Sequence, residues 1–370
     1  MKKISFNVIL VFIVLAVWEI LGYIAINYTE GGENIRKVRL GLMAKAKPED
    51  FPRYLPQPNL NYISYPGVVR NGVVQNNEDG YRGCRINYLR SRNFRILFLG
   101  GSTTYGIGVP YPWQSYPERI KSLLNEYFSG DTFFHSRYDS VEIINAGIED
   151  GTSCEELSQY LYKYRYYKPD ICVVNSGVND ASFDPNDHNY QPDYTHVRNI
   201  DFNIRPLGRV GRCLMRSNFL SFLIVKIFYN HLLQDSDGYL AFSKDNKYVH
   251  WFKQTDKNHL VNAFYYNYQT LLRELIADSV EVIFVPCAWN PAPRPGVDLN
   301  YFLNIAANNK IGRDLTLEYK QAYVNFNYDS FACKQCFLDE CHLNVEGEIE
   351  KAKLIAPTVA EIIKVKLKAD

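Results

Sequence analysis

The sequence predicts a three-layer α/β domain built on a parallel sheet and preceded by a membrane-length N-terminal helix. Three observations carry this expectation. Short apolar runs rich in Val and Ile recur from residue 94 onward, flanked by Gly or Pro, as suits strands buried on both faces. Stretches with apolar residues at helical spacing lie between them, and such alternation marks a parallel sheet covered on both sides. At the N-terminus, Lys2 and Lys3 precede an apolar run over residues 8–18 that resumes, after Glu19, over 20–26.

Taken in chain order, residues 4–27 would form a helix about 36 Å long, enough for a hydrocarbon core of about 30 Å. Residues 21–26 lack a small-x-small cleavage pair, so an uncleaved signal anchor over 1–28 is expected. Glu19 costs insertion energy, tolerable near one end of the span or in a helix contact. Lys2 and Lys3 place the N-terminus in the cytoplasm, whereas Arg36, Lys37, Arg39, Lys45 and Lys47 count the other way. The expectation is a single-pass protein whose body lies outside the cytoplasm. Residues 29–90, rich in Gly, Pro, Asn and charge, read as an irregular juxtamembrane stalk and lead-in.

The domain proper is expected over 91–370. Strand candidates are 95–99, 141–145, 171–175, 280–286 and, more weakly, 322–326. Helix candidates are 114–127, with Ile120, Leu123, Leu124 and Tyr127 on one stripe; 155–166, with Leu157, Leu161 and Tyr164; and 262–277, with Leu271, Leu272, Leu275 and Ile276. An insertion at about 181–260 breaks the rhythm. Its apolar segment 219–229 is too short for a second span and holds Lys226, which suggests a helix of the domain or a lid.

Composition sets the function classes. The chain is 46% hydrophobic and 22% charged, which permits a buried core. Lys and Arg number 41 against 40 acidic residues, a net charge of +1 that asks for no nucleic acid. The 29 Tyr can stack on sugars or pack amphipathically at core edges. Of the eight cysteines, Cys172 and Cys287 lie in strand-like runs and read as buried thiols. Cys84, Cys154, Cys213, Cys333, Cys336 and Cys341 leave their pairing open. Cys333, Cys336, Cys341 and His342 could supply four zinc ligands, but metal would occupy the lone pair that the histidine needs, and a disulfide is the expectation there.

The chemistry-bearing residues fall at strand ends. The first strand runs out in Gly100-Gly101-Ser102-Thr103-Thr104, which puts a serine at the carboxyl edge of a parallel sheet, where such folds place ligands. A serine hydroxyl is a poor nucleophile without a general base. The second and third strands end in Asn145-Ala146-Gly147 and in Gly177-Val178-Asn179-Asp180, so the Gly147 N–H and the Asn179 amide could face Ser102 as donors to an oxyanion. Capping turns after strands are the plainer alternative for both. Near the C-terminus, Asp339-Glu340-Cys341-His342 sets a carboxylate three residues before a histidine. The carboxylate can orient the ring and leave its other nitrogen to accept a proton. The remaining six histidines, His135, His188, His196, His231, His250 and His259, fall in polar or loop-like contexts.

Together these blocks resemble the SGNH/GDSL hydrolase family over about residues 77–365. Ser102 corresponds to the nucleophile block, with Gly101 where many members carry Asp. Gly147 and Asn179 correspond to the second and third blocks, and Asp339 with His342 to the Asp-x-x-His block. The resemblance implies a flavodoxin-like sheet of five parallel strands in the order 2-1-3-4-5. It also implies a Ser102–His342–Asp339 triad, and an oxyanion hole of the Ser102 and Gly147 N–H groups and the Asn179 side chain. The implied activity is a serine esterase removing O-acyl groups from an extracytoplasmic glycan or lipid. An O-acyltransferase acting on a surface polysaccharide would use the same triad. No cofactor and no metal is expected. A non-catalytic phosphate-cradling protein is the remaining alternative, but the Gly100–Thr104 turn lacks the lysine of a P-loop.

Overall fold

The computed structural model describes residues 2–29, 32, 35–36, 38–39, 54–57, 59–70, 72–89, 91–187, 190–194, 199–200, 209–228, 240–241, 261–290, 296, 298–326 and 335–369. They fall into two compact units, one of Met1–Pro56 with Val197–Asn246, the other of Gln57–His196 with Lys247–Asp370.

In the first unit, helix Lys2–Tyr28 contains a 22-residue stretch, Asn7–Tyr28, that is long and apolar enough to cross a membrane. Glu19 on this helix accepts hydrogen bonds from Ser217 Oγ (2.6 Å) and from the backbone N–H groups of Asn218 (2.5 Å) and Phe219 (3.3 Å). These are the first amides of helix Asn218–Phe228, which have no acceptor within their own helix. Trp18 meets the Phe219 ring at 4.8 Å. The apolar segment expected as a domain helix or lid thus packs on the N-terminal helix, and Glu19 has the helix contact that makes its place in an apolar run tolerable. Most of the insertion expected at 181–260 lies outside the described residues.

The second unit is built on five parallel strands: β1 (Phe94–Gly100), β2 (Val141–Asn145), β3 (Ile171–Asn175), β4 (Glu281–Phe284) and β5 (Ala322–Tyr323). Their order in the sheet is β2-β1-β3-β4-β5, as the resemblance implies. Side chains alternate across the pleat. Phe94, Ile96 and Phe98 pack beneath helices Tyr116–Tyr127 and Val345–Ala369 with Ile120, Leu124, Ile355 and Val359. Leu97 and Leu99 face Tyr160, Phe264, Leu271 and Leu272 from helices Ser153–Tyr162 and Ala263–Ala277. The result is three layers. Helix Leu299–Glu318 adds to the second face, with Leu315 in its core.

Residues 57–89, read from composition as part of an irregular stalk, belong to this compact unit. Two short strands, Val69–Arg70 and Val73–Val74, pair in antiparallel fashion. Arg82 bridges Asn145 at the end of β2, and its amide donates to the Asn145 carbonyl. Arg95 on β1 is fully buried yet satisfied. It pairs with Glu142 (2.6 Å) and donates to the carbonyls of Asn87, Tyr88, Leu89 and Tyr167. A buried guanidinium without such partners would be strongly destabilising, so this arginine ties the lead-in to the sheet.

Candidate active site

β1 ends at Gly100, and after Gly101 the chain enters a single helical turn, Ser102–Tyr105, stopped by Gly106 in the left-handed region (φ 79°). Ser102 therefore stands at the carboxyl rim of the central strand, buried to 5% exposure. Its N–H is the first amide of the turn, where no intrahelical acceptor exists.

The Asp339–His342 segment is closed on itself. Leu338 N–H donates to the His342 carbonyl (2.8 Å), Asn344 N–H donates to the Cys336 carbonyl (2.8 Å), and Phe337 bridges Leu343. Asp339 Oδ1 accepts from the amides of Cys341 (3.0 Å) and His342 (2.8 Å), while Oδ2 lies 2.7 Å from His342 Nδ1. The other ring nitrogen, Nε2, lies 2.7 Å from Ser102 Oγ. The structure thus brings together three residues that the sequence separates by up to 240 positions. Because an ionised carboxylate only accepts, Nδ1 carries a ring proton, and whenever the imidazole is neutral Nε2 has its lone pair toward the serine hydroxyl.

Burial alone would raise the Asp339 pKa, but the His342 ring and two backbone amides hold it well below the usual carboxylate range. Burial alone would lower that of His342. The Asp339 hydrogen bond, with the Cys341 thiol beside the ring, keeps it above the ordinary histidine value instead. Cys341 Sγ lies 3.9 Å from Nδ1 and is free. Cys336 is disulfide-bonded, which removes it from the four-ligand zinc set weighed above; Cys333 lies outside the described residues.

The two remaining predicted residues behave differently from one another. Asn179 precedes the short 3-10 turn Asp180–Ser182; its Nδ2 donates to the Gly151 carbonyl (2.7 Å) and sits against Gly101, next to Ser102. An amide nitrogen carries two protons, and this bond uses one of them. Gly147, expected as a donor in the hole, sits against the serine's own turn. Its N–H donates to Asn145 Oδ1 (3.1 Å) and is engaged in this state. What the position requires is clearance: a Cβ there would run into the backbone of Thr104 and Tyr105, the turn that carries the serine. Of the other histidines, His135 lies in helix Thr132–Arg137 and the remaining five are outside the described residues.

Several supporting residues carry no catalytic motif of their own. Asn145 and Asn175 each end an apolar strand, a polar signal at the rim that was available. Asn175 Oδ1 accepts from Thr103 Oγ1 (3.1 Å) and from the buried Lys351 Nζ (2.7 Å). Asp180 accepts from Ser153 Oγ (2.5 Å) and Tyr194 OH (2.6 Å), which holds the Asn179 turn against helix Ser153–Tyr162. Tyr105 OH donates to Asn76 Oδ1 (2.9 Å), which docks the lead-in on the serine's own turn.

The chain matches the GDSL-like Lipase/Acylhydrolase family over residues 98–348, more than half its length. No curated protein matches it. Similar solved structures include the lipase/acylhydrolase from Enterococcus faecalis (15% identity, 72% of this chain and 95% of that one, TM-score 0.42). They also include a GDSL-like lipase from Bacteroides thetaiotaomicron VPI-5482 (15%, 76% and 93%, 0.39). An acetyl xylan esterase from Geobacillus stearothermophilus is a third (11%, 72% and 96%, 0.40). On the extent of the family match, which runs from the end of β1 through the Asp339–His342 segment, this chain belongs to the GDSL-like lipase/acylhydrolase family and is an enzyme that acts on ester bonds.

Proposed function

We propose that the protein is a serine esterase in which Ser102 is the nucleophile, His342 the general base and Asp339 the group that orients it. The observation that carries this reading is the unbroken line of contacts, Asp339 Oδ2 to His342 Nδ1 at 2.7 Å and His342 Nε2 to Ser102 Oγ at 2.7 Å. Ser102 Oγ attacks the ester carbonyl as His342 takes its proton. Negative charge gathers on the former carbonyl oxygen, within reach of the Ser102 N–H and the free Asn179 N–H. The tetrahedral intermediate collapses when imidazolium returns the proton to the leaving alkoxide. Water, activated in turn by His342, then frees the acid.

The substrate we propose is an O-acylated glycan or lipid outside the cytoplasm, with residues 1–28 as membrane anchor and 91–370 as the catalytic domain. One feature supports a glycan. Tyr111 and Trp113 stack within 2° of parallel at 4.6 Å, and Trp113 is 57% exposed, a flat apolar surface of the kind on which sugar rings stack. The same triad would serve O-acyl transfer if a sugar hydroxyl replaced water.

The test is covalent labelling of the full chain by a fluorophosphonate probe, with release of acetate from acylated oligosaccharide measured in parallel. Labelling is expected in the wild type and absent from Ser102→Ala and His342→Ala. Persistent labelling of Ser102→Ala would refute the nucleophile assignment. Acetate appearing on an added oligosaccharide, not in solution, would favour the transferase.

A further inference from the structure

Helix Val345–Ala369 begins three residues after His342. The Asn344 side chain accepts from Gly347 N–H (3.0 Å) and its carbonyl from Glu348 N–H (3.0 Å), so the His342 loop runs directly into the helix start. Two turns in, Lys351 faces the interior at 1% exposure. Its ammonium lies 4.0 Å from the centre of the Tyr116 ring and 5.3 Å from that of Phe326, and donates to Asn175 Oδ1 at 2.7 Å. Asn175 is paired with Gly100 at the end of β1. Its Nδ2 is fixed by the carbonyls of Val285 (2.8 Å) and Pro286 (3.2 Å) on the far side, and its Oδ1 also holds Thr103 Oγ1. One turn before Lys351, Glu348 is buried too and accepts from the Tyr116 amide (2.6 Å).

We propose that Lys351 is a positioning residue for catalysis: it clamps the base-bearing helix to the nucleophile turn through Asn175 and Thr103, and so sets the distance between His342 Nε2 and Ser102 Oγ. The proposal rests on the reading of Ser102 and His342 as nucleophile and base. A buried ammonium is costly to keep, and an apolar side chain would fill this aromatic pocket at lower cost. Burial pulls Lys351 down to about 8 and pushes Glu348 up to about 7, while the opposite charge of each supports the other. What an apolar side chain could not do is hold Asn175 Oδ1 from the helix side. The Asp339 side chain is bonded within its own loop and the Asn179 amide to the Gly151 carbonyl, so neither makes this connection.

The clamp is tested on the full chain with three variants: Lys351→Met, which keeps an unbranched stem between the rings, Thr103→Val, which keeps the shape of the last link, and the double variant. Three quantities are measured: the rate constant of fluorophosphonate labelling, kcat and KM for a short nitrophenyl ester, and the thermal unfolding transition. Lys351→Met is expected to unfold cooperatively, to lose about 10–100-fold in labelling rate and kcat, and to keep KM within about twofold, as misplacement of a reacting group predicts. Thr103→Val should lose about 3–10-fold, and the double variant no more than Lys351→Met alone, because both cut one chain. Wild-type labelling in a folded Lys351→Met, or losses that multiply in the double variant, would overturn the clamp and leave the Ser102 assignment standing. Should Lys351→Met fail to fold, Thr103→Val decides, and a wild-type rate there overturns the proposal. Labelling that survives Ser102→Ala removes the underlying reading as well.

Discussion

The two halves of the candidate site reach the same 2.7 Å contact by opposite means. The serine turn is held from outside itself. β1 is covered on both faces, Gly147 lets a neighbouring strand end approach its backbone, and Asn76, Asn145, Asn175 and Tyr116 each bond one of its atoms. The histidine loop is held largely from within, by two amides on Asp339 Oδ1 and by its own cross-bridges at Leu338 and Asn344. A reactive group that must be buried needs its neighbours to be shaped for it. One that stays partly open needs only a local frame and a rigid helix behind it.

The largest expected effect tests the inner frame. Asp339→Asn keeps the shape of the loop, but with its one oxygen held by the Cys341 and His342 amides it turns an NH2 donor toward Nδ1, which favours the wrong tautomer of the ring. Turnover with a short acyl ester should fall by about 10⁴-fold with the fold intact. A fall of tenfold or less would mean that the amides alone orient the ring. Next comes the outer frame at the oxyanion. Asn179→Ala should lower kcat by about 10²–10³-fold, since the donor acts on charge that develops only in the transition state, and KM should stay nearly constant. An equal rise in KM would show that Asn179 binds the ground state instead.

Gly147→Ala separates the two roles given to that position. If the glycine provides clearance, a methyl group there forces the Ser102–Tyr105 turn aside, and stability falls by about 1–3 kcal/mol, read from denaturant unfolding. Loss of turnover with unchanged stability would instead return its N–H to the oxyanion hole, with the Asn145 side chain releasing it on substrate binding.

The same contrast explains what could be read from the sequence. The buried strands announce themselves as Val- and Ile-rich runs, and β1 to β4 fall where those runs predict. The Asp-x-x-His frame is local, so its spacing is visible. Edges are less legible. Helix Tyr116–Tyr127 starts after a separate 3-10 turn at Pro112–Gln114, and the segment expected as one helix over 155–166 breaks at Lys163. Helix Leu299–Glu318 is harder to see because its buried face mixes Phe302, Ile305 and Leu315 with polar and small residues: Asn308 bonds the Gly177 carbonyl, and Asn309 beside it bonds that of Cys287. The lead-in reads as a stalk for a related reason: polar composition hides buried residues such as Asn76, whose side-chain oxygen and nitrogen are both bonded, and Arg82, whose Nη2 donates to the Val109 carbonyl. Lys351 had a signal. Stepping back from Ile363 through Val359 and Ile355 along the apolar stripe lands on it, a charge where a core residue belongs.

The smallest effect sharpens the comparison most, because it touches the ring without touching either frame. Only neutral imidazole can take the Ser102 proton, so the labelling rate falls as pH drops through the His342 pKa. That pKa is held above 6.5 by Asp339 and by the Cys341 sulfur against burial, so the acid limb of the rate profile should lie above pH 6.5. The effect on stability has the opposite sense. A raised pKa stabilises the folded state below pH 6.5, and that contribution disappears as pH climbs through the folded value. Cys341→Ala removes the sulfur 3.9 Å from Nδ1 and leaves the Asp339 bond in place. The acid limb should therefore move to lower pH, with the plateau rate within about twofold of wild type because no proton passes through the thiol. A limb that stays where it was would assign the whole shift to Asp339. A limb that moves together with a collapsed plateau would mean that the side chain at 341 helps hold the ring, and that the loop is less self-sufficient than its hydrogen bonds suggest.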